Sequence, residues 1–131
     1  MNHTEAEIVV SRYYGNLNSG NLENLLGMFA DDATFEDPVM EGILQGHQEI
    51  GNFFRSLGGM FRRMHIDPVR IFPDAGGCAV AWNADAETQS GDRLAIQGVN
   101  VMEFKGDKIE SIRVFFDPSA LVNGRQGDKN E

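Results

Sequence analysis

Periodicity puts three polar residues, Tyr13, Asp37 and Asn100, on otherwise apolar faces. Asp37 closes the run Phe29-Ala-Asp-Asp-Ala-Thr-Phe-Glu-Asp-Pro38. The proline after it pushes its backbone into an extended conformation and so directs its side chain. A carboxylate held in an apolar pocket is poorly solvated, so its basicity rises and it can take a proton from a carbon next to a carbonyl. The product is an enolate. Its negative oxygen needs fixed hydrogen-bond donors, and a phenol O–H beside an amide N–H makes a two-donor oxyanion hole. Tyr13 and Asn100 carry those two groups. Each of the three also has a structural role open to it: a buried tyrosine can bond to backbone, an aspartate can brace a turn, and an asparagine can satisfy a bulge or a neighbouring strand. It is the combination that points to proton transfer.

Such chemistry needs no cofactor, and the chain has no Gly-x-Gly-x-x-Gly or phosphate-cradling motif. His3, His47 and His65 lack metal-ligand spacing, and with Cys78 as the one cysteine there is neither a disulfide framework nor a cysteine-based zinc site, so no metal is expected. A reducing, cytoplasmic setting is the expectation. The net charge of −9 disfavours nucleic acid and anionic membrane surfaces and leaves a small neutral ligand as the easier fit, which the proton-transfer reading makes a small hydrophobic ketone. The start of the chain has no basic leader, and no stretch of eighteen apolar residues occurs.

The 131 residues, 41% of them hydrophobic, fit a single domain with one modest core. Thr4-Glu-Ala-Glu7 has the pattern of a capping box and predicts a first helix whose apolar stripe runs through Ile8, Val9, Tyr13 and Leu17 to Asn18-Ser-Gly20. Asn21 predicts the cap of a short second helix carrying Leu22, Leu25, Leu26 and Phe29. The acidic run then reads as a polar loop leading into a strand, and Val39 to Gly46 as a loop bordering a cavity. From His47 a third helix carries Ile50, Phe53, Phe54 and Leu57 and is expected to break at Gly58-Gly59.

The period then changes from helical to alternating. Met64 to Phe72, Cys78 to Thr88, Arg93 to Phe104 and Lys108 to Phe116 predict an antiparallel meander of strands. Asn100, Met102 and Phe104 share one face, and Ile112, Val114 and Phe116 oppose Arg113 and Phe115. With apolar groups on both faces, a homodimer through the outer face of the sheet is expected. The tail after Pro118, about residues 119–131, reads as polar and frayed. The fold class is α+β, a cone in which three N-terminal helices pack on the concave face of a strongly curved, mainly antiparallel sheet.

Val10-Ser-Arg-Tyr-Tyr14, Leu17-Asn-Ser-Gly-Asn-Leu22, Met28-Phe-Ala-Asp-Asp-Ala-Thr-Phe-Glu-Asp-Pro-Val39, Gln45-Gly-His-Gln-Glu-Ile-Gly-Asn-Phe-Phe54, Asn100-Val-Met-Glu-Phe104 and Ser111-Ile-Arg-Val-Phe-Phe116 together resemble bacterial ketosteroid isomerase. That family lies within the nuclear transport factor 2-like and SnoaL-like fold group. The resemblance covers most of the chain, and its more specific marks are Arg12-Tyr13 and Glu36-Asp37-Pro38. It implies a cofactor-independent steroid Δ5-isomerase, moving a double bond from Δ5 to Δ4 in 3-oxosteroids through a dienolate. Tyr13 would be the phenolic oxyanion donor and Asp37 the base that carries the proton. The family's second donor is an aspartic acid kept protonated by its apolar site. Here Asn100 takes that position, and its neutral amide donates a weaker hydrogen bond than a carboxylic acid. Phe54 stands where a supporting tyrosine is expected, and Ala86 where a bulky aromatic is usual. The substrate is expected against Phe54, Trp82, Ala86, Met102 and Phe116.

Two other functions belong to the same fold group: polyketide cyclisation of the SnoaL type, and non-catalytic binding of a small hydrophobic ligand. Epoxide hydrolysis on this fold needs an Arg-x-Asp pair where this chain reads Gly98-Val-Asn100.

Overall fold

The structure is a computed structural model and describes residues 1–121. The described residues form α1 (His3–Ser19), α2 (Leu22–Gly27), β1 (Phe29–Glu36), β2 (Leu44–Gln45), α3 (Gly46–Met60), β3 (Phe61–Pro73), β4 (Gly77–Thr88), β5 (Arg93–Lys105) and β6 (Lys108–Phe116). The six strands make one curved sheet in the order β2-β1-β6-β5-β4-β3. Helix α1 packs against β3, and α3 against β1. Among the described residues no helix is long and apolar enough to cross a membrane.

The cap of α1 differs from expectation. Asn2, not Thr4, is the N-cap: its side chain accepts from Glu5 N at 2.8 Å, while Glu5 Oε1 accepts from Asn2 N at 3.1 Å. Asparagine caps as well as threonine, and the earlier start gives the helix two more residues. It also aligns His3 with Glu7, 2.9 Å apart, one turn on. The buried stripe is Ala6, Val10, Tyr13 and Tyr14, whereas Ile8 is exposed. Gly20 ends α1 at φ 72°, where a left-handed backbone costs glycine little, and its N–H closes on Asn16 and Leu17. Asn21 caps α2 as expected, accepting from Asn24 N.

The acidic run is not a loop but β1 itself. Phe29, Ala33 and Phe35 are buried while Asp31 and Asp32 face solvent. A register shift between Phe29 and Thr34 breaks the alternation, which is why a simple period-two reading passes over this strand. It lies parallel to β6, with Phe35 opposite Ile112 and Glu36 opposite Arg113. The remaining four long strands form the expected antiparallel meander. The Gly58-Gly59 pair does not stop α3, which continues to Met60 and passes directly into β3 at Phe61.

Asn18 ties α1 to the sheet. Its Oδ1 accepts from Ile66 N and its Nδ2 donates to Ile66 O, both at 2.8 Å, so one side chain satisfies the backbone edge that β3 turns away from β4. The inner face of the meander carries Val80, Trp82, Ala84 and Ala86 on β4 and Leu94, Ile96, Asn100 and Met102 on β5, all buried. Its outer face presents a second apolar surface. Phe72, Ala79 and Val101 form one row and Ala81, Val99 and Phe115 the next, with Phe72 56% and Phe115 51% exposed.

Candidate active site

Between α1, α3 and the inner face of the sheet lies a cavity with about 760 Å³ of free space, its open mouth included. Side chains crowd most of that space, so it is a narrow slot. An apolar cleft with a few polar groups is the usual character of a small-molecule site. The walls are almost wholly hydrocarbon and aromatic. Tyr13, Asp37 and Asn100, set apart in the sequence, all reach this cavity, as do Phe54, Trp82, Ala86 and Phe116.

Met102 does not. It shares the face of Asn100 two residues further along β5, but it sits opposite Cys78 and Ile112 and is sealed in the core at 1% exposure. Alternation places it on the correct face, yet the slot ends before reaching it. Leu121 takes a place in the wall instead. It is part of a turn, with Leu121 N bonded to Pro118 O and Ala120 N to Asp117 O. Residues 122–131 of the expected tail lie outside the described residues.

Asp37 follows directly on β1. Its Oδ1 accepts from Val39 N at 2.9 Å, and its backbone carbonyl accepts from Met40 N at 3.0 Å, so a tight turn holds the carboxyl in place with one oxygen engaged. Burial raises its pKa above the ordinary aspartate range, against a smaller lowering from the Val39 N–H. The group is therefore a stronger base than a surface carboxylate, and desolvation is the cause.

Tyr13 is 1% exposed, and its hydroxyl has no hydrogen-bond partner among the described residues. Yet no fully enclosed side-chain nitrogen or oxygen there lacks a partner. The hydroxyl must therefore open on the cavity, with its proton available to a ligand. Burial first, and then the charge of Asp37, raises the pKa of Tyr13 and keeps it protonated. The rings of Phe29 and Tyr14 meet Tyr13 edge to face at 6.3 and 5.0 Å, which fixes the ring although nothing holds the hydroxyl.

Asn100 is the buried polar residue of the described core, at 4% exposure. Trp82 Nε1 donates to Asn100 Oδ1 at 2.9 Å, and Asn100 Nδ2 donates to the Tyr14 hydroxyl at 2.9 Å. Trp82 reaches it because β5 has a glycine at the crossing. Gly98 lies opposite Trp82 on one side and Phe116 on the other, and the two rings meet over it at 6.1 Å. A Cβ on residue 98 would stand 2.3 Å from the indole.

Tyr14 was not singled out from the sequence, and Gly98 only as the position where epoxide hydrolysis would need an arginine. For Tyr14 a signal existed: Ala6, Val10 and Tyr14 recur every fourth residue, the spacing of one helical face. Gly98 has no such signal, because its importance depends on which residue β4 brings opposite. His47 and His65 are engaged locally, with Phe29 O at 3.0 Å and Asp67 at 2.9 Å, and the described residues hold no cluster of three or more groups able to bind a metal.

The SnoaL-like domain profile matches residues 10–112. A steroid Delta-isomerase from Nocardioides simplex is 30% identical over 120 residues, covering 90% of this chain and 94% of that protein. Among solved structures, SalBIII is described as an epoxide hydrolase/cyclase-like enzyme in pyran ring formation in the polyether salinomycin. It is 26% identical with a TM-score of 0.80, covering 91% of this chain and 95% of that one. A Mycobacterium tuberculosis protein in complex with estradiol-17β-hemisuccinate superposes with a TM-score of 0.76 at 20% identity, covering 88% and 95% of the two chains. The chain belongs to the SnoaL-like domain family and has the ketosteroid isomerase-like, nuclear transport factor 2-like fold.

Proposed function

We propose that this protein is a cofactor-independent isomerase that moves a carbon–carbon double bond into conjugation with a ketone, with 3-oxo-Δ5-steroids as the substrate class. The observation that carries this reading is a raised-pKa carboxylate, Asp37, facing the same apolar slot as the unpartnered hydroxyl of Tyr13. Isomerase- or cyclase-type chemistry agrees with the family and with the relatives it resembles.

In this reading the carboxylate of Asp37 removes a proton from the α-carbon, between the ketone and the double bond. The C–H electron pair moves into the new C=C bond and the carbonyl pair onto oxygen, giving a dienolate. Tyr13 donates a hydrogen bond to that oxygen, and Asn100 lines the same slot. Asp37, now a carboxylic acid, delivers the same proton to the γ-carbon, the charge returns from oxygen, and the enone is complete. No atom is gained or lost. The apolar walls exclude water, which keeps the carboxylate basic and strengthens each hydrogen bond.

Turnover of a 3-oxo-Δ5-steroid, followed as growth of conjugated-enone absorbance, tests the proposal. The expected result is catalysis by the protein and a rate about 100- to 10,000-fold lower in Asp37→Asn; absence of any wild-type rate above buffer would overturn the steroid assignment. A cyclase reading is favoured by one feature, the small Ala86 on the wall where a bulky aromatic is usual. Epoxide hydrolysis is not supported: residue 98 has no space for an arginine, and residue 100 is an amide. The functional unit we propose is a homodimer, with Phe72, Val99, Val101 and Phe115 of each copy meeting across the outer faces of the two sheets.

A further inference from the structure

The hydrogen bonds behind the slot run in one direction. Indole Nε1 is a donor only, so its bond to Asn100 Oδ1 settles which way the amide faces, with its oxygen toward Trp82 and its NH2 toward Tyr14. Asn100 Nδ2 then donates to the Tyr14 hydroxyl at 2.9 Å, which makes the phenol oxygen the acceptor. The proton of that hydroxyl has no acceptor among the described residues, and Tyr14 lines the slot. Tyr13 and Tyr14 follow one another on α1, and their rings meet at 87° with centroids 5.0 Å apart. One turn of one helix thus presents two phenols to the same cavity.

We propose that Tyr14 is the second oxyanion donor of this site and that Asn100 is the positioning residue that aims it. The relay runs from indole N–H to amide oxygen, from amide N–H to phenol oxygen, and from phenol O–H to the enolate. Each bond in such a chain polarises the next, so the last donor is stronger than a lone phenol. An asparagine in this position is then no weakened copy of an acid. It accepts from Trp82 and donates to Tyr14 at once, which a protonated carboxyl with its single proton does only by giving up its own bond to the ligand. Gly98 belongs to the same device, since it gives the indole its place.

This inference rests on the enolisation reading above, and a bound phenol separates the two. 2-Naphthol is flat and apolar, and its naphtholate mimics an enolate. Its ionised fraction in the complex, read from the ultraviolet spectrum across pH, reports the oxyanion donors without requiring turnover. The expected result is that the wild type binds and ionises 2-naphthol, that Tyr14→Phe reduces the ionised fraction at least tenfold at fixed pH, and that Asn100→Ala reduces it less. In the isomerisation assay Tyr14→Phe should lower kcat and kcat/KM together, by about 100-fold, with KM little changed. If Tyr14→Phe does not fold, the wild-type complex still decides. Its proton spectrum should show two strongly deshielded hydroxyl resonances, of which Tyr13→Phe removes one. Unchanged ionisation in Tyr14→Phe, or a single such resonance in the wild type, overturns the role of Tyr14 and leaves the enolisation reading standing. Failure of the wild type to bind 2-naphthol overturns both.

Discussion

Gly98→Ala tests how tightly the site depends on the sheet. The added Cβ would stand 2.3 Å from Trp82 Cζ2, 2.6 Å from Cη2 and 2.7 Å from the carbonyl oxygen of Phe115. The indole has to retreat by about 1 Å to reach an ordinary carbon–carbon separation. The carbonyl belongs to the backbone of β6, paired to β5 on either side of the crossing, and has little room to yield. Overpacking of this kind costs about 1–3 kcal/mol, and losing the bond from Trp82 to Asn100 adds about 1 kcal/mol. A total of about 2–4 kcal/mol is a large share of the stability of a domain of this size. Trp82 is the one tryptophan of the chain, so urea unfolding followed by its fluorescence reads stability and indole environment together. The expected outcome is a lower midpoint, a red-shifted native emission and a large loss of isomerase activity. A variant with the native emission maximum and a stability within about 0.5 kcal/mol of the wild type would refute the packing argument, because surface-like tolerance of that order is incompatible with so close an approach.

Five further outcomes follow from the same structure. Asp37→Asn should lower kcat by about 100- to 10,000-fold, the usual contribution of a positioned base. The same variant should unfold at a higher temperature near neutral pH: a raised pKa means the folded protein holds this proton more tightly than the unfolded chain, so ionising Asp37 costs stability as pH rises from the ordinary aspartate range to its folded value, the cost staying constant above that, and asparagine removes it. A melting temperature that falls instead would contradict the burial of the carboxylate. The pH profile of kcat/KM should show an acid limb from Asp37 and stay flat up to at least about pH 10, since an unperturbed tyrosine ionises near there and both phenols are raised above it; an alkaline limb that vanishes in Asn100→Ala would count against this assignment. Asn18→Ala should cost about 1–3 kcal/mol in chemical denaturation by stripping Ile66 of both partners at a partly buried edge, and sedimentation at micromolar concentration should give a dimer that Phe115→Asp converts to monomer.

The residues we propose for the chemistry were legible because each broke a pattern. Tyr13 interrupts an apolar helical stripe and Asn100 an apolar strand face, while Asp37 is marked by its proline, and all three meet at one slot. The meander was legible for the complementary reason, since unbroken alternation between good turns leaves one reading. What failed to show was whatever depends on a partner distant in sequence. β1 hides in an acidic run because its pairing with β6 is parallel and interrupted by a register shift. Met102 has the correct parity, but parity does not tell how far along a strand a cavity extends. Gly58 and Gly59 read as a stop, yet a glycine pair only lowers helix propensity, and the helix continues into β3. Tyr14 was visible in the four-residue spacing, but its partnership with Asn100 joins α1 to β5 and exists only in the folded chain.

The central claim is that one shielded carboxylate carries one proton between two carbons of the same substrate. It is tested most directly by isomerising a 3-oxo-Δ5-steroid labelled with deuterium at the α-carbon in ordinary water and measuring the label at the γ-carbon of the enone. Retention of a substantial part of the deuterium by the wild type, with enone formation slowed by about 100-fold or more in Asp37→Asn, is the predicted result. Enone that carries no deuterium at the γ-carbon, or that forms equally well without the carboxylate, would contradict it.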